Sequence, residues 1–160
     1  MMPNEKLIGL VWTDMLHHDT LYGYALLVTN QRVVGAKERT FRHACVQYIW
    51  GRYQKDADPD EVERYAPQVI RDKEFELGLD DIVRITYRKP GMFSPGHVTF
   101  KTAAQEIQLN TSSLWTHSQA GKIDRILQAC LVVFAEEKFI DENSGQPMRA
   151  EFARKYHYDL

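Results

Sequence analysis

The densest group of potential metal ligands is His17-His18-Asp19, with Asp14 nearby. Imidazole and carboxylate groups are the ligands of hydrolytic zinc centres, so these residues carry one enzymatic expectation, a small metal-dependent hydrolase. Adjacent histidines on a strand point to opposite faces, and one ion could hold both only if the chain bends between them. No other His or Cys pairs with them at a recognisable spacing. The competing reading, a solvated loop, is preferred, and no metal or cofactor is expected. Cys45 and Cys130 are the candidate nucleophiles. Both fall on apolar stripes of helical spacing, where free cysteine behaves as a small hydrophobe. His43 stands beside Cys45, but residues two apart on a helix do not face each other. Gly91 and Gly96 flank Met92-Phe93-Ser94-Pro95, which lacks the Lys and the helix start of a phosphate-cradling loop. The expectation is a protein that is not an enzyme.

Chemistry of a different kind is expected at two apolar places. Met92 and Phe93 lie between Pro90-Gly91 and Pro95-Gly96, with Arg88 and Lys89 just behind. Large apolar side chains at a loop tip serve as binding anchors or shallow membrane inserts. The alternative is that Phe93 folds back over the core as a cap. The second place is the stripe Tyr48, Ile49 and Tyr53, with Trp50 off it by about 100° of helical rotation. A helix needs one buried stripe, so Trp50 either reaches a partner chain, with Tyr53 beside it, or packs on the next helix. The interaction residues read from the sequence are thus Trp50, Tyr53, Met92, Phe93, Arg88 and Lys89.

Bulk composition narrows the partners. The 160 residues carry 20 Lys+Arg against 22 Asp+Glu, a net charge of −2, with 44% hydrophobic and 26% charged residues. That is the profile of one globular domain, without the surplus of positive charge that binds nucleic acid. Arg32, Lys37, Arg39, Arg42 and Arg52 are dense enough for a basic patch, but the acidic run from Asp56 to Glu63 offsets them. Two distant cysteines suit a reducing compartment. With no secretion signal after Met1-Met2-Pro3-Asn4-Glu5-Lys6 and no apolar run near the ~20 residues that span a bilayer, a cytoplasmic location is expected.

The elements that must position these residues follow from periodicity. Lys6 to Met15 reads as a strand buried on much of both faces, and Leu21 to Thr29 as a second strand. Asn30-Gln31 turns the chain into Arg32-Val33-Val34-Gly35-Ala36. Phe41, Ala44, Cys45, Tyr48, Ile49 and Tyr53 recur at helical spacing, which predicts a helix over 40–54. Asp58-Pro59-Asp60-Glu61 starts a second helix, with an Asp cap, Pro at the first position and acids at the positive end of the dipole. Pro67 is expected to end or kink it. Four strands follow, at Phe75–Leu77, Ile82–Tyr87, His97–Thr102 and Gln105–Leu109. A stripe of Ile123, Ile126, Leu127, Cys130, Leu131 and Phe134 marks a helix from Gly121 to Lys138. About seven strands and a terminal helix suggest an α+β, mainly β domain, an antiparallel barrel that leaves no free edge. A pair of helices is inserted at about 40–72, after the third strand. The domain is read over 1–140 and a tail over 141–160.

This order resembles the pleckstrin-homology-like (PH/GRAM-like) domains of bacteria and archaea. The likeness is carried by Leu26-Leu27-Val28-Thr29-Asn30-Gln31-Arg32-Val33-Val34-Gly35, by Leu79-Asp80-Asp81-Ile82-Val83-Arg84-Ile85, and by Lys89-Pro90-Gly91 with Gly96-His97-Val98-Thr99-Phe100-Lys101-Thr102. It implies a seven-stranded barrel capped by the C-terminal helix. It also implies a binding or assembly module, one that meets a protein partner or itself, with a lipid-binding membrane module as the alternative. Eukaryotic members hold phosphoinositides with Lys and Arg between the first two strands. Here that loop, Asp14 to Thr20, has neither, so phosphoinositide binding is not expected.

Overall fold

The computed structural model describes residues 2–13, 16–17, 23–37, 47–49, 52–53, 59–111 and 120–148. Along the chain run β1 (Leu7–Thr13), β2 (Leu16–His17), β3 (Tyr24–Thr29), β4 (Arg32–Lys37), β5 (Gln47–Ile49) and β6 (Arg52–Tyr53). Then come α1 (Pro59–Arg71), β7 (Lys73–Gly78), β8 (Ile82–Arg88), β9 (Gly96–Thr102) and β10 (Glu106–Thr111). Last are α2 (Ala120–Leu131), β11 (Phe139–Asp141) and β12 (Gln146–Pro147). They form two six-stranded sheets, ordered β6-β5-β1-β3-β4-β7 and β12-β11-β8-β9-β10-β2. The mainly β, α+β expectation holds.

The closed barrel does not. Among the described residues both sheets are open, ending in β6 and β7 on one side and in β12 and β2 on the other. Short hairpins extend the sheets in place of a ladder joining them. Between the sheets α2 contributes Ile123, Ile126, Leu127, Cys130 and Leu131 to a core shared with Ile8, Tyr24, Leu26, Ile85, Phe100 and Phe139. A helix that buries this much apolar surface stabilises the gap between the sheets without hydrogen bonds across it.

A second core lies on the far face of the first sheet. Tyr65, Ala66 and Val69 of α1 pack on Leu10, Ala25, Leu27, Val34 and Ala36. The small alanines let helix and sheet approach closely, and β3 is consequently buried at all six positions. Pro67 neither ends nor delimits α1, which continues to Arg71. The proline is exposed, as is Glu63, whose carbonyl loses the missing N–H, so water can replace that bond.

The helix expected over 40–54 is corrected where the chain is described. Gln47–Ile49 and Arg52–Tyr53 pair as antiparallel strands, and Gln47–Ile49 pairs with β1. The β-branched and aromatic residues Ile49, Tyr48 and Tyr53 suit a strand, and Gly51 disfavours a helix by roughly 1 kcal/mol relative to Ala. The open edge of β1 supplies the partner that a propensity argument cannot see. The turn at Asn30-Gln31 also differs from a positive-φ hairpin: neither residue is left-handed. Instead Thr29 Oγ1 accepts the N–H groups of Gln31 and Arg32 at 3.1 and 3.0 Å.

The tail begins as structure. β11 runs parallel to β8 and antiparallel to β12. Met148 is buried, its N–H bonded to Phe139 O at 2.9 Å. No helix of the described residues is long and apolar enough to cross a membrane.

Candidate functional site

The connection between β8 and β9 is built to present its tip. Pro90 is buried at its base. A Cβ on Gly96 would lie 2.6 Å from Pro90 Cδ and 2.9 Å from Arg88 O, so only glycine lets the two ends of the loop pack together. Gly91 N–H donates to Ser94 O at 3.0 Å, closing a turn whose central residues are Met92 and Phe93. Met92 is 59% exposed and Phe93 82%. Phe93 therefore does not cap the core. Two large apolar side chains are mostly exposed on a turn that is fixed at both ends.

Arg88 and Lys89 are drawn back into the fold. Lys89 Nζ lies 2.9 Å from Asp124 Oδ1 on α2. Arg88 is half-buried and sits directly opposite His97 across the ladder. His97 Nε2 approaches Glu142 Oε2 to 2.7 Å, without the alignment of a hydrogen bond. Thr86 Oγ1 donates to Glu142 Oε1 at 3.2 Å. Burial pushes the Glu142 carboxyl up, but His97, Thr86 and the Arg88 charge outweigh it and hold the group below its ordinary value. The base of the turn is thus an internally balanced polar cluster, which ties the β11–β12 hairpin to β8 and β9.

The other expected residues are placed unequally. Tyr53 lies in β6, on the sheet edge and not on a helix; Trp50 is outside the described residues. His17 lies in β2, opposite Asn110 of β10. Asp14, His18 and Asp19 are outside the described residues, as is Cys45. Among the described residues, no cluster of three His, Cys, Asp or Glu could hold a metal. Cys130 is buried in α2, and burial pushes its thiol well above the ordinary range, away from the reactive thiolate.

The sequence placed Arg32 among surface cations dense enough for a basic patch but offset by nearby acids; the structure buries it. Its Nε and Nη2 donate to Glu5 Oε1 and Oε2 at 2.7 and 2.9 Å, and Nη1 donates to Glu76 Oε1 at 2.9 Å. A guanidinium committed to two carboxylates is not offered to an anionic ligand. The available signal was Thr29-Asn30-Gln31-Arg32 itself, since an arginine at a hairpin exit between buried strands must find carboxylates.

Comparison with protein-family models, with curated proteins and with solved structures gives no match.

Proposed function

We infer that this is a non-catalytic cytoplasmic interaction module, whose recognition element is the Met92–Phe93 turn and whose partner is a protein. The observation that carries this reading is the 82% exposure of Phe93 beside Met92 on a turn pinned by Pro90 and Gly96. Aromatic and methionine side chains on a fixed backbone lose little conformational freedom on binding, which makes them efficient anchors. The polar groups behind the turn favour a protein over an anionic bilayer, because Arg88 and Lys89 already neighbour carboxylates. With the two-residue β2 and the segment between Lys37 and Lys73 set aside, the order of four strands (β1, β3, β4, β7), three strands (β8, β9, β10) and a helix (α2) also supports the pleckstrin-homology-like resemblance.

Met92→Ser with Phe93→Ser tests the reading. The double variant should melt within a degree or two of the parent, because both side chains are exposed, and should lose protein association in light scattering. A fall of several degrees in Tm would make the turn a structural element instead. Pelleting of the parent, but not of the variant, with neutral and anionic liposomes would replace the protein partner by a membrane surface. Pelleting that survives high salt would assign that contact to the apolar tip.

A further inference from the structure

The last rung of the β8–β9 ladder before the Met92–Phe93 turn is the pair Arg88 and His97. One carries positive charge, the other gains it on protonation, and side chains directly opposite on a ladder start about 5 Å apart. His97 is 6% exposed and its Nε2 has no hydrogen bond; neither has the buried Nε of Arg88. A third group reaches this rung from outside the hairpin. Glu142, in the turn between β11 and β12, sets Oε2 2.7 Å from His97 Nε2 and accepts the Thr86 hydroxyl on Oε1. Its backbone N–H donates to Tyr87 O at 3.0 Å, so side chain and main chain of that turn are both seated on β8. The other groups on this face act elsewhere. Asn110 of β10 stands opposite His97, and His17 of β2 opposite Asn110. Arg84, Lys101 and Glu106 lie two rungs away, with Lys101 paired to Glu106, and Lys89 pairs with Asp124 of α2. Among the described residues, Glu142 is the one carboxylate within ion-pair distance of His97.

We propose that His97 is a proton-operated latch: protonated, it fastens the β11–β12 turn to the base of the Met92–Phe93 turn, and neutral, it lets that turn go. Histidine is the side chain that changes charge nearest neutral pH. With His97 neutral, Glu142 faces the charge of Arg88 alone. With His97 protonated, the close but misaligned approach becomes an attraction between opposite charges, which needs proximity and not a straight N–H···O line. Glu142 is ready throughout, because its carboxyl is held below its ordinary value and is ionised wherever an imidazole titrates. The sign follows. The fastening is present while His97 holds its proton, weakens as pH rises through that titration, and is lost again in acid when Glu142 is neutralised. The latch acts on the foot of the exposed turn, because Gly96, next to His97, is the residue that seats against Pro90. It does not depend on what Met92 and Phe93 bind.

The test is amide hydrogen exchange by NMR on the full chain from about pH 5 to 9, with the ring signals of His97 reporting its charge at each step. The Glu142 amide reads the latch. The Met148 amide, bonded to Phe139 O in the same hairpin, is the internal reference. After division by intrinsic rates, protection of Glu142 relative to Met148 should fall by about two- to fivefold as His97 loses its proton, the range of a partly exposed ion pair. In His97→Gln and in Glu142→Gln that ratio should stay flat. A flat ratio in the parent while the His97 signals titrate would overturn the latch. So would a fall that persists unchanged in His97→Gln, which would assign it to another group, or a His97 ring that keeps one charge over the whole range. Where circular dichroism shows that His97→Gln does not fold, Glu142→Gln, on an exposed turn, carries the comparison.

Discussion

Arg32 grips Glu5 through both carboxylate oxygens, at 2.7 and 2.9 Å, with 7% of the arginine side chain and none of the glutamate side chain exposed. Thr29 Oγ1 donates to the same carboxylate at 2.9 Å, and so does the Met2 backbone N–H, at 2.6 Å. Arg32 reaches on to Glu76 of β7, which Lys73 also contacts. One buried cation thereby joins the N-terminal segment, the β3–β4 hairpin and the last strand of the first sheet. Breaking such a pair by removing one partner leaves an uncompensated buried charge, at a typical cost of about 3–5 kcal/mol.

The pH dependence of folding follows from Glu5. Burial raises its pKa, but the bonds from Arg32, Met2 and Thr29 outweigh burial and bring it from 4.5 down to about 2. A carboxylate more acidic when folded stabilises the fold fully above its unfolded value and loses that contribution as pH falls through the folded one. The window is therefore about pH 4.5 to 2, with on the order of 3 kcal/mol at stake. Urea unfolding at pH 7, 4 and 2.5 should show the steepest loss between the last two. Glu5→Gln should be less stable at pH 7 by a few kcal/mol and shallower in that acid limb. An unchanged acid limb in the variant would remove Glu5 from the account.

The sequence was most legible where composition and period agree. Tyr24 to Thr29 is β-rich and forms a strand buried on both faces, and the stripe from Ile123 to Leu131 has one helical period, although the helix read as far as Lys138 ends at Leu131. It was least legible where tertiary partners decide. Tyr48, Ile49 and Tyr53 fit either period, and the edge of β1 selected the strand. The place of Arg32 at a hairpin exit between apolar strands calls for carboxylates, but which ones, Glu5 and Glu76, is decided by residues distant in sequence. At the candidate site, Pro90-Gly91 and Pro95-Gly96 announced a tight loop, but whether Phe93 points in or out depends on packing that no local pattern encodes.

Gly35 and Phe75 are directly paired across β4 and β7. A Cβ at position 35 would stand 2.1 Å from Phe75 Cε1, and the ring is held by stacking on Tyr24, with centroids 6.2 Å apart and planes 12° off parallel. The ring has no easy retreat, so Gly35→Ala should lose about 1–3 kcal/mol by overpacking. Phe75→Leu should lose stability alone yet recover part of the loss when combined with Gly35→Ala, since the smaller side chain vacates the clash. Urea denaturation of the single and double variants measures that coupling. Additive losses would mean that the ring is not what excludes a side chain at position 35.

Cys130 provides a chemical check on the buried helix. It is fully buried in α2 among Ile126, Leu127 and the strands of both sheets, and its thiol is shifted upward by that burial. The nucleophile in thiol chemistry is the thiolate, so both access and ionisation are withheld in the native state. In a Cys45→Ser background, a chromogenic disulfide reagent at pH 8 should modify Cys130 only as fast as the domain opens, and adding urea should accelerate it in step with loss of the circular dichroism signal. Rapid stoichiometric modification in native buffer would show that α2 does not stay seated between the two sheets.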